Sequence, residues 1–92
     1  MRTFKYGDGT TGITYETLDE LLGAGITYAA EDDNFFYVRP NLSGHFDNSM
    51  YKVDKVTGDA ELIYFTDFIA SYADKAHEIS VERLVEAGNK RL

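Results

Sequence analysis

The clearest alternation of hydrophobic and polar positions lies between residues 50 and 66, in the segment MYKVDKVTGDAELIYFT. Its first half, Tyr51–Asp54, alternates apolar and polar side chains, as a strand with one buried face does. Gly58 follows among Asp and Thr residues, which is typical of a tight turn with a positive φ angle. The second half, Glu61–Thr66, is nearly all apolar. This pattern predicts a β-hairpin whose second strand is buried on both faces, at the centre of a sheet.

Shorter apolar runs on the N-terminal side of this hairpin predict further strands. A glycine-rich loop, Gly7–Gly12, lacks the Gly-Lys-Ser/Thr ending of a P-loop and is interpreted as a turn. Pro40 cannot donate a ladder hydrogen bond and should end a strand, and the polar segment from Asn41 to Ser49 is interpreted as a loop. The predicted strands are Arg2–Tyr6, Ile13–Tyr15, Ile26–Ala30 and Phe35–Arg39.

Helical spacing of apolar residues predicts three helices. In the first, Thr17 and Glu20 form a capping box, followed by Leu18, Leu21 and Leu22 and ended by Gly23 and Gly25. The second is predicted over Asp67–Ala76. The third is capped by Ser80 and ended by Gly88, and its inward side chains are expected to be Val81, Leu84 and Val85.

These elements predict one α+β domain over residues 1–92, with an antiparallel sheet of about four to five strands and two to three short helices. Cysteine is absent, which excludes disulfides and thiolate metal sites. The N-terminal residues contain no apolar run long enough for a signal peptide or a membrane span. We therefore expect a soluble, cytoplasmic protein with no membrane partner.

Charge is distributed unevenly along the chain, which carries a net charge of −7. No Lys or Arg occurs between Lys5 and Arg39, whereas from Arg39 onward acids and bases are nearly balanced. This excess of acids argues against direct binding of nucleic acid, which requires clustered basic residues. The acids within the window are Asp8, Glu16, Asp19, Glu20, Glu31, Asp32 and Asp33.

Candidate catalytic chemistry is sparse. His45 and Asp47 could provide two metal ligands or a base and its orienting carboxylate, but no zincin pattern accompanies them. The segment Glu31–Asn34 lacks the alternating ligands, the glycine and the final glutamate of a calcium loop. The sequence thus predicts a protein that is not an enzyme and has no catalytic residue, metal or cofactor. A small hydrolase or metal-dependent enzyme centred on His45 and Asp47 remains an alternative.

Acids interleaved with tyrosines provide a candidate binding surface. Most of the seven tyrosines are expected at the edge of the core, yet tyrosine is also enriched at protein interfaces. Such a surface can bind Arg-rich grooves through ion pairs and cation–π contacts. The alternative is that the charge only keeps the protein soluble. The predicted partner-binding residues are Glu16, Asp19, Glu20, Tyr28, Glu31, Asp32, Asp33 and Tyr37.

In size and charge pattern the whole chain resembles the small acidic phage-type inhibitors of bacterial defence nucleases, the anti-CRISPR and anti-restriction class. The segment Val53–Gly58 also resembles hairpins of phage and bacterial proteins. This resemblance implies an inhibitor without cofactors that acts as a DNA mimic in the cytoplasm of a bacterial host. It would occupy the basic nucleic-acid-binding surface of a partner such as a CRISPR effector nuclease. An immunity protein that neutralises a cationic toxin is a second hypothesis.

Overall fold

The computed structural model of the protein describes residues 2–5, 7–9, 11–41 and 48–90. The strands are β1 (Arg2–Lys5), β2 (Thr11–Thr14), β3 (Ile26–Glu31), β4 (Phe35–Pro40), β5 (Ser49–Asp54), β6 (Ala60–Tyr64) and β7 (His77–Glu78). The helices are α1 (Leu18–Ala24), α2 (Phe65–Ser71) and α3 (Val81–Lys90).

The strands form two antiparallel sheets. One is the β1–β2 hairpin, and the other has five strands in the order β6-β5-β4-β3-β7. Consecutive strands from β3 to β6 are neighbours, so this part of the sheet is a meander. The prediction of an antiparallel α+β fold with short helices is therefore confirmed.

The five-stranded sheet is buried on both faces. Helices α1 and α3 pack on one face, where the buried side chains are Leu18, Leu21, Ala29, Phe36, Val38, Tyr51, Val53 and Leu84. Helix α2 and the turn after it pack on the other face, over Ala30, Tyr37 and Met50, with Phe68 as the buried residue of the helix. The central strands β4 and β5 consequently bury residues of both faces.

Strand β6 lies at the edge of the sheet, so the prediction that it forms the centre is wrong. Its side chains are partly or largely exposed, including Leu62 at 39% and Tyr64 at 55%. The nearly continuous apolar run has a different origin, because α2 begins at Phe65 directly after the strand. The run joins an edge strand to the first turn of a helix whose apolar side packs on the sheet.

The predicted caps of α1 and α3 are confirmed. The Thr17 hydroxyl accepts a hydrogen bond from the Glu20 amide at 3.3 Å, and the Glu20 carboxylate accepts one from the Glu16 amide at 2.9 Å. Helix α1 continues through Gly23, which was predicted to end it, and ends at Ala24; the C-cap Gly25 has a φ of 90° that suits glycine. The Ser80 hydroxyl accepts from the Arg83 amide at 3.2 Å.

Three details of the predicted helices are wrong. Helix α2 begins two residues earlier than predicted and ends at Ser71, because the chain turns over residues 72–75. Helix α3 continues past Gly88, where an added Cβ would lie 2.7 Å from Leu22 Cδ1. This glycine therefore allows close approach of α3 to α1. Val81 and Val85 are 43% and 39% exposed, rather than inward-facing.

Within the described ranges, no helix combines the length and the apolar character that crossing a bilayer would require.

Candidate partner-binding surface

Two hairpin turns and the start of α1 meet at one end of the five-stranded sheet. Because β4 and β5 are antiparallel neighbours, the β3–β4 and β5–β6 turns lie side by side, and the Lys55 amide donates to the Asn34 carbonyl at 3.2 Å. The Leu18 amide donates to the Gly58 carbonyl at 2.9 Å, and the Ala60 amide donates to the Glu16 carbonyl at 2.8 Å. We refer to residues 16–17, 31–34 and 54–61 as the acidic end.

The β5–β6 turn is held by its own hydrogen bonds. One Asp54 carboxylate oxygen accepts from the amides of Val56 and Thr57 at 2.7 and 3.2 Å. Gly58 has a φ of 78°, and its amide donates to the Asp54 carbonyl at 2.8 Å. The predicted glycine turn is confirmed, and it leaves Val56 88% exposed at its tip.

Glu31, a predicted partner-binding residue, is buried and makes contacts within the protein. The Arg83 guanidinium approaches its carboxylate at 2.7 to 3.0 Å through Nε and Nη2, and Lys55 Nζ and His77 Nε2 lie 3.6 Å away. The hydrogen bond from Arg83 lowers the pKa of Glu31, against the opposing effect of burial, and the charge of Lys55 lowers it further. Glu31 therefore joins β3 to α3, β7 and the neighbouring turn.

Asp32 shapes the β3–β4 turn. One of its carboxylate oxygens accepts from the amides of Asn34 and Phe35, each at 2.8 Å, and the other accepts from the Tyr37 hydroxyl at 2.6 Å. Burial acts to raise the pKa of Asp32, but the hydrogen bonds from Tyr37 and the two amides outweigh it and lower that pKa. Lys55 Nζ donates to the Asp32 carbonyl at 2.5 Å. Lys55 lies far from the acidic window in sequence but contacts two of its residues, Glu31 and Asp32, in the fold.

The two predicted tyrosines do not share a surface with α1. Tyr37 is completely buried, with its ring centroid 5.0 Å from that of Phe68, and burial raises the pKa of its hydroxyl. Tyr28 packs on the same face, 6.4 Å from Phe68, and burial followed by the charge of Glu78 raises its pKa. Glu16, Asp19 and Glu20 lie at or before the first turn of α1, a helix on the opposite face of the sheet.

The predicted residues consequently divide into different environments. Asp19 and Asp33 are exposed, and so is Glu16, whose amide takes part in the capping hydrogen bond of α1. Glu20, Glu31 and Asp32 stabilise the fold, and Tyr37 has no exposed surface with which to bind a partner.

Three exposed carboxylates of the acidic end make no hydrogen bond or ion pair with another described residue: Asp33, Asp59 and Glu61. With Asp54 they help line two open depressions of about 340 Å³ each, of which one is also lined by Lys52 and the other by Lys55. Lysine ammonium groups of this region lie against rings and carboxylates instead, since Lys52 Nζ is 4.2 Å from the Phe35 centroid. Acidic groups therefore face solvent at this end.

Sequence reasoning did not identify Asp54, Asp59 and Glu61, because they lie where the charges along the chain are nearly balanced. Only the order of the predicted hairpins could have shown that these residues lie together. In a meander, alternate hairpin turns lie at the same end of the sheet, which places the 31–34 and 55–59 turns together.

We expect Glu31→Gln to lower the free energy of unfolding by about 1–3 kcal/mol at neutral pH, because Lys55 and Arg83 lose a charged, hydrogen-bonded partner. The depressed pKa means that this stabilisation is complete above the ordinary value of 4.5 and is lost as the pH falls through the lower folded value. Urea unfolding across this range should show the difference from wild type shrinking in acid. The matched control, Asp33→Asn in the same turn, should change stability little, and an equal loss in both variants would contradict this role.

The described residues contain no candidate metal site. Within the described ranges, no three His, Asp or Glu side chains are grouped so that they could hold a metal ion. His45 and Asp47, together with most of the predicted 41–49 loop, lie outside those ranges.

Comparisons with protein-family models, curated proteins and solved structures returned no match for this chain.

Proposed function

We propose that this protein is a small inhibitor that binds a basic, nucleic-acid-binding surface of a protein partner through its acidic end. The observation that carries the proposal is the arrangement of Asp33, Asp59 and Glu61, which are exposed on adjoining elements and whose carboxylates make no ion pair with another described residue. Such an arrangement presents negative charge outward, as a nucleic-acid backbone does.

The supporting turns are suited to binding because they are already ordered by internal hydrogen bonds. Asp32 and Asp54 each accept two amide hydrogen bonds within their own turns. A preorganised surface loses less conformational entropy on association, so more of the interaction energy contributes to affinity. Val56, exposed between the acids, adds an apolar contact of the kind found within polar interfaces.

Electrostatics supports a basic partner. A net charge of −7 on a 92-residue chain speeds encounter with a positively charged surface and disfavours binding to DNA or RNA itself. A bacterial nuclease of the CRISPR or restriction type has the required basic groove, and this class is the partner that we propose.

The test is retention of bacterial lysate proteins on the immobilised chain at about 50 mM and about 500 mM salt, with identification by mass spectrometry. We expect a basic nuclease to be retained at low salt, released at high salt and displaced by added duplex DNA. Retention of a cationic toxin would instead indicate an immunity protein. Binding that neither salt nor DNA affects would contradict the proposal.

A further inference from the structure

Lys55 belongs to the acidic end, but its charge is directed into the protein. It is the first residue of the β5–β6 turn. Its ammonium donates to the Asp32 carbonyl at 2.5 Å and lies 3.6 Å from the Glu31 carboxylate. The same ammonium lies 5.0 Å from the centroid of the Phe36 ring. Only 25% of the Lys55 side chain is therefore exposed to solvent.

These contacts join two turns that are each held by their own hydrogen bonds. The Asp32 carboxylate binds amides of the β3–β4 turn, and the Asp54 carboxylate binds amides of the β5–β6 turn. The ladder between β4 and β5 ends at the Phe35–Asp54 pair. Beyond that pair, Lys55 contacts the other turn through its ammonium and through its amide, which donates to the Asn34 carbonyl at 3.2 Å. Lys55 thus fixes one turn against the other.

Charge alone does not account for a lysine at this position. A positive charge weakens the negative potential of a surface whose proposed partner is basic. A lysine side chain held in one conformation also loses the rotational freedom that a solvated one keeps. Charge-assisted hydrogen bonds offset this loss, and what they maintain here is the contact between the two turns.

The two turns carry exposed carboxylates on which the proposed function depends. Asp33 lies in the β3–β4 turn, and Asp59 lies in the β5–β6 turn, where a bridge to Thr17 holds it on the other side. Glu61 is fixed separately by the pairing of β6 with β5. The contacts of Lys55 therefore set the distance from Asp33 to the other two acids.

We propose that Lys55 is a positioning residue of the acidic end, and that the partner recognises the spacing of Asp33 from Asp59 and Glu61. This inference rests on the proposed function. Such a partner holds its basic groups on a folded surface, because a flexible basic tail would adapt to any spacing of the acids. Loss of the Lys55 ammonium then weakens partner binding, although it makes the chain more negative.

The first test needs no partner and measures amide exchange in Lys55→Met, which keeps an unbranched apolar stem and removes the charge. We expect the amide at position 55, which bonds the Asn34 carbonyl, to lose about tenfold in protection. The amides of Phe35 and Val56 bond within their own turns and should keep their protection. Unchanged protection at position 55, or equal losses at all three amides, overturns the positioning role.

The second test compares affinities for the retained nuclease and for a flexible lysine decapeptide at about 50 mM salt. Lys55→Met should bind the nuclease at least about fivefold more weakly, and the decapeptide no more weakly, than wild type does. Lys75→Met is the matched control, since Lys75 is exposed beside the β3–β4 turn and its ammonium makes no hydrogen bond or ion pair with another described residue. Both substitutions change the net charge from −7 to −8, so the control should bind both ligands at least as tightly as wild type.

The two ligands separate positioning from charge and from stability. Nuclease binding by Lys55→Met that matches or exceeds wild type overturns the proposal, because charge alone would then govern recognition. An equal loss of affinity for both ligands also overturns it, since a general loss of structure would produce that result. If no nuclease is retained by the wild-type chain, the proposed function fails and this inference with it, while the exchange measurement still shows whether Lys55 joins the turns.

Discussion

Replacing Phe68 with alanine should lower the free energy of unfolding by about 3–5 kcal/mol, because the substitution leaves a cavity where α2 meets the sheet. Phe68 is 3% exposed, and its ring centroid lies 5.0 to 6.4 Å from those of Tyr28, Tyr37 and Phe65. Helix α2 spans only Phe65–Ser71, and its first two amides donate to Asn48, to the carbonyl at 2.7 Å and to Oδ1 at 3.1 Å. So short a helix must be maintained by contacts with the rest of the fold rather than by intrinsic helicity.

The matched control for this substitution is Ile69→Ala, on the same helix one residue later. Ile69 is 55% exposed, so its truncation should cost less than about 1 kcal/mol. Denaturant unfolding of both variants, followed by circular dichroism, measures the two costs. Similar losses in the two variants would show that α2 is not anchored by its buried phenylalanine.

Local elements of the fold could be predicted from the sequence because local chemistry determines them. The capping box at Thr17, the Ser80 cap and the Gly58 turn each depend on atoms within a few residues of one another. The antiparallel α+β class followed from the hairpin patterns for the same reason.

The order of strands could not be predicted from periodicity alone. The run Glu61–Thr66 had the apolar content of a central strand, but it divides between an edge strand and the first residues of a helix. Gly88 had the position of a helix stop, but close packing on Leu22 accounts for it. Both differences depend on which elements become neighbours, and this information lies outside the local segment.

The candidate surface was predicted only in part, because charge along a chain differs from charge in space. The acidic window contained Asp33, which is exposed, but it also contained Glu31 and Asp32, whose carboxylates bind Arg83 and the turn amides within the protein. Asp59 and Glu61 join Asp33 only through the pairing of β4, β5 and β6.

Reversing the charges of Asp33, Asp59 and Glu61 together should weaken partner binding about 100-fold at low salt, given about 1 kcal/mol for each reversed charge. Their carboxylates make no hydrogen bond with the rest of the described chain. Lysine at position 61 lies opposite Lys52 of β5, which costs up to about 1 kcal/mol, so the fold should survive all three replacements. The matched control reverses three exposed acids outside the acidic end: Asp67, Glu82 and Glu86. Each reversal adds two charges, so both triple variants change from −7 to −1.

The direct test of the proposed function is the dissociation constant of each triple variant for the nuclease retained by the wild-type chain, measured at about 50 mM salt. We predict that the acidic-end variant loses about 100-fold in affinity, whereas the control variant, with the same net charge, loses less than about tenfold. Equal affinities for the two variants would contradict the acidic end as the binding surface.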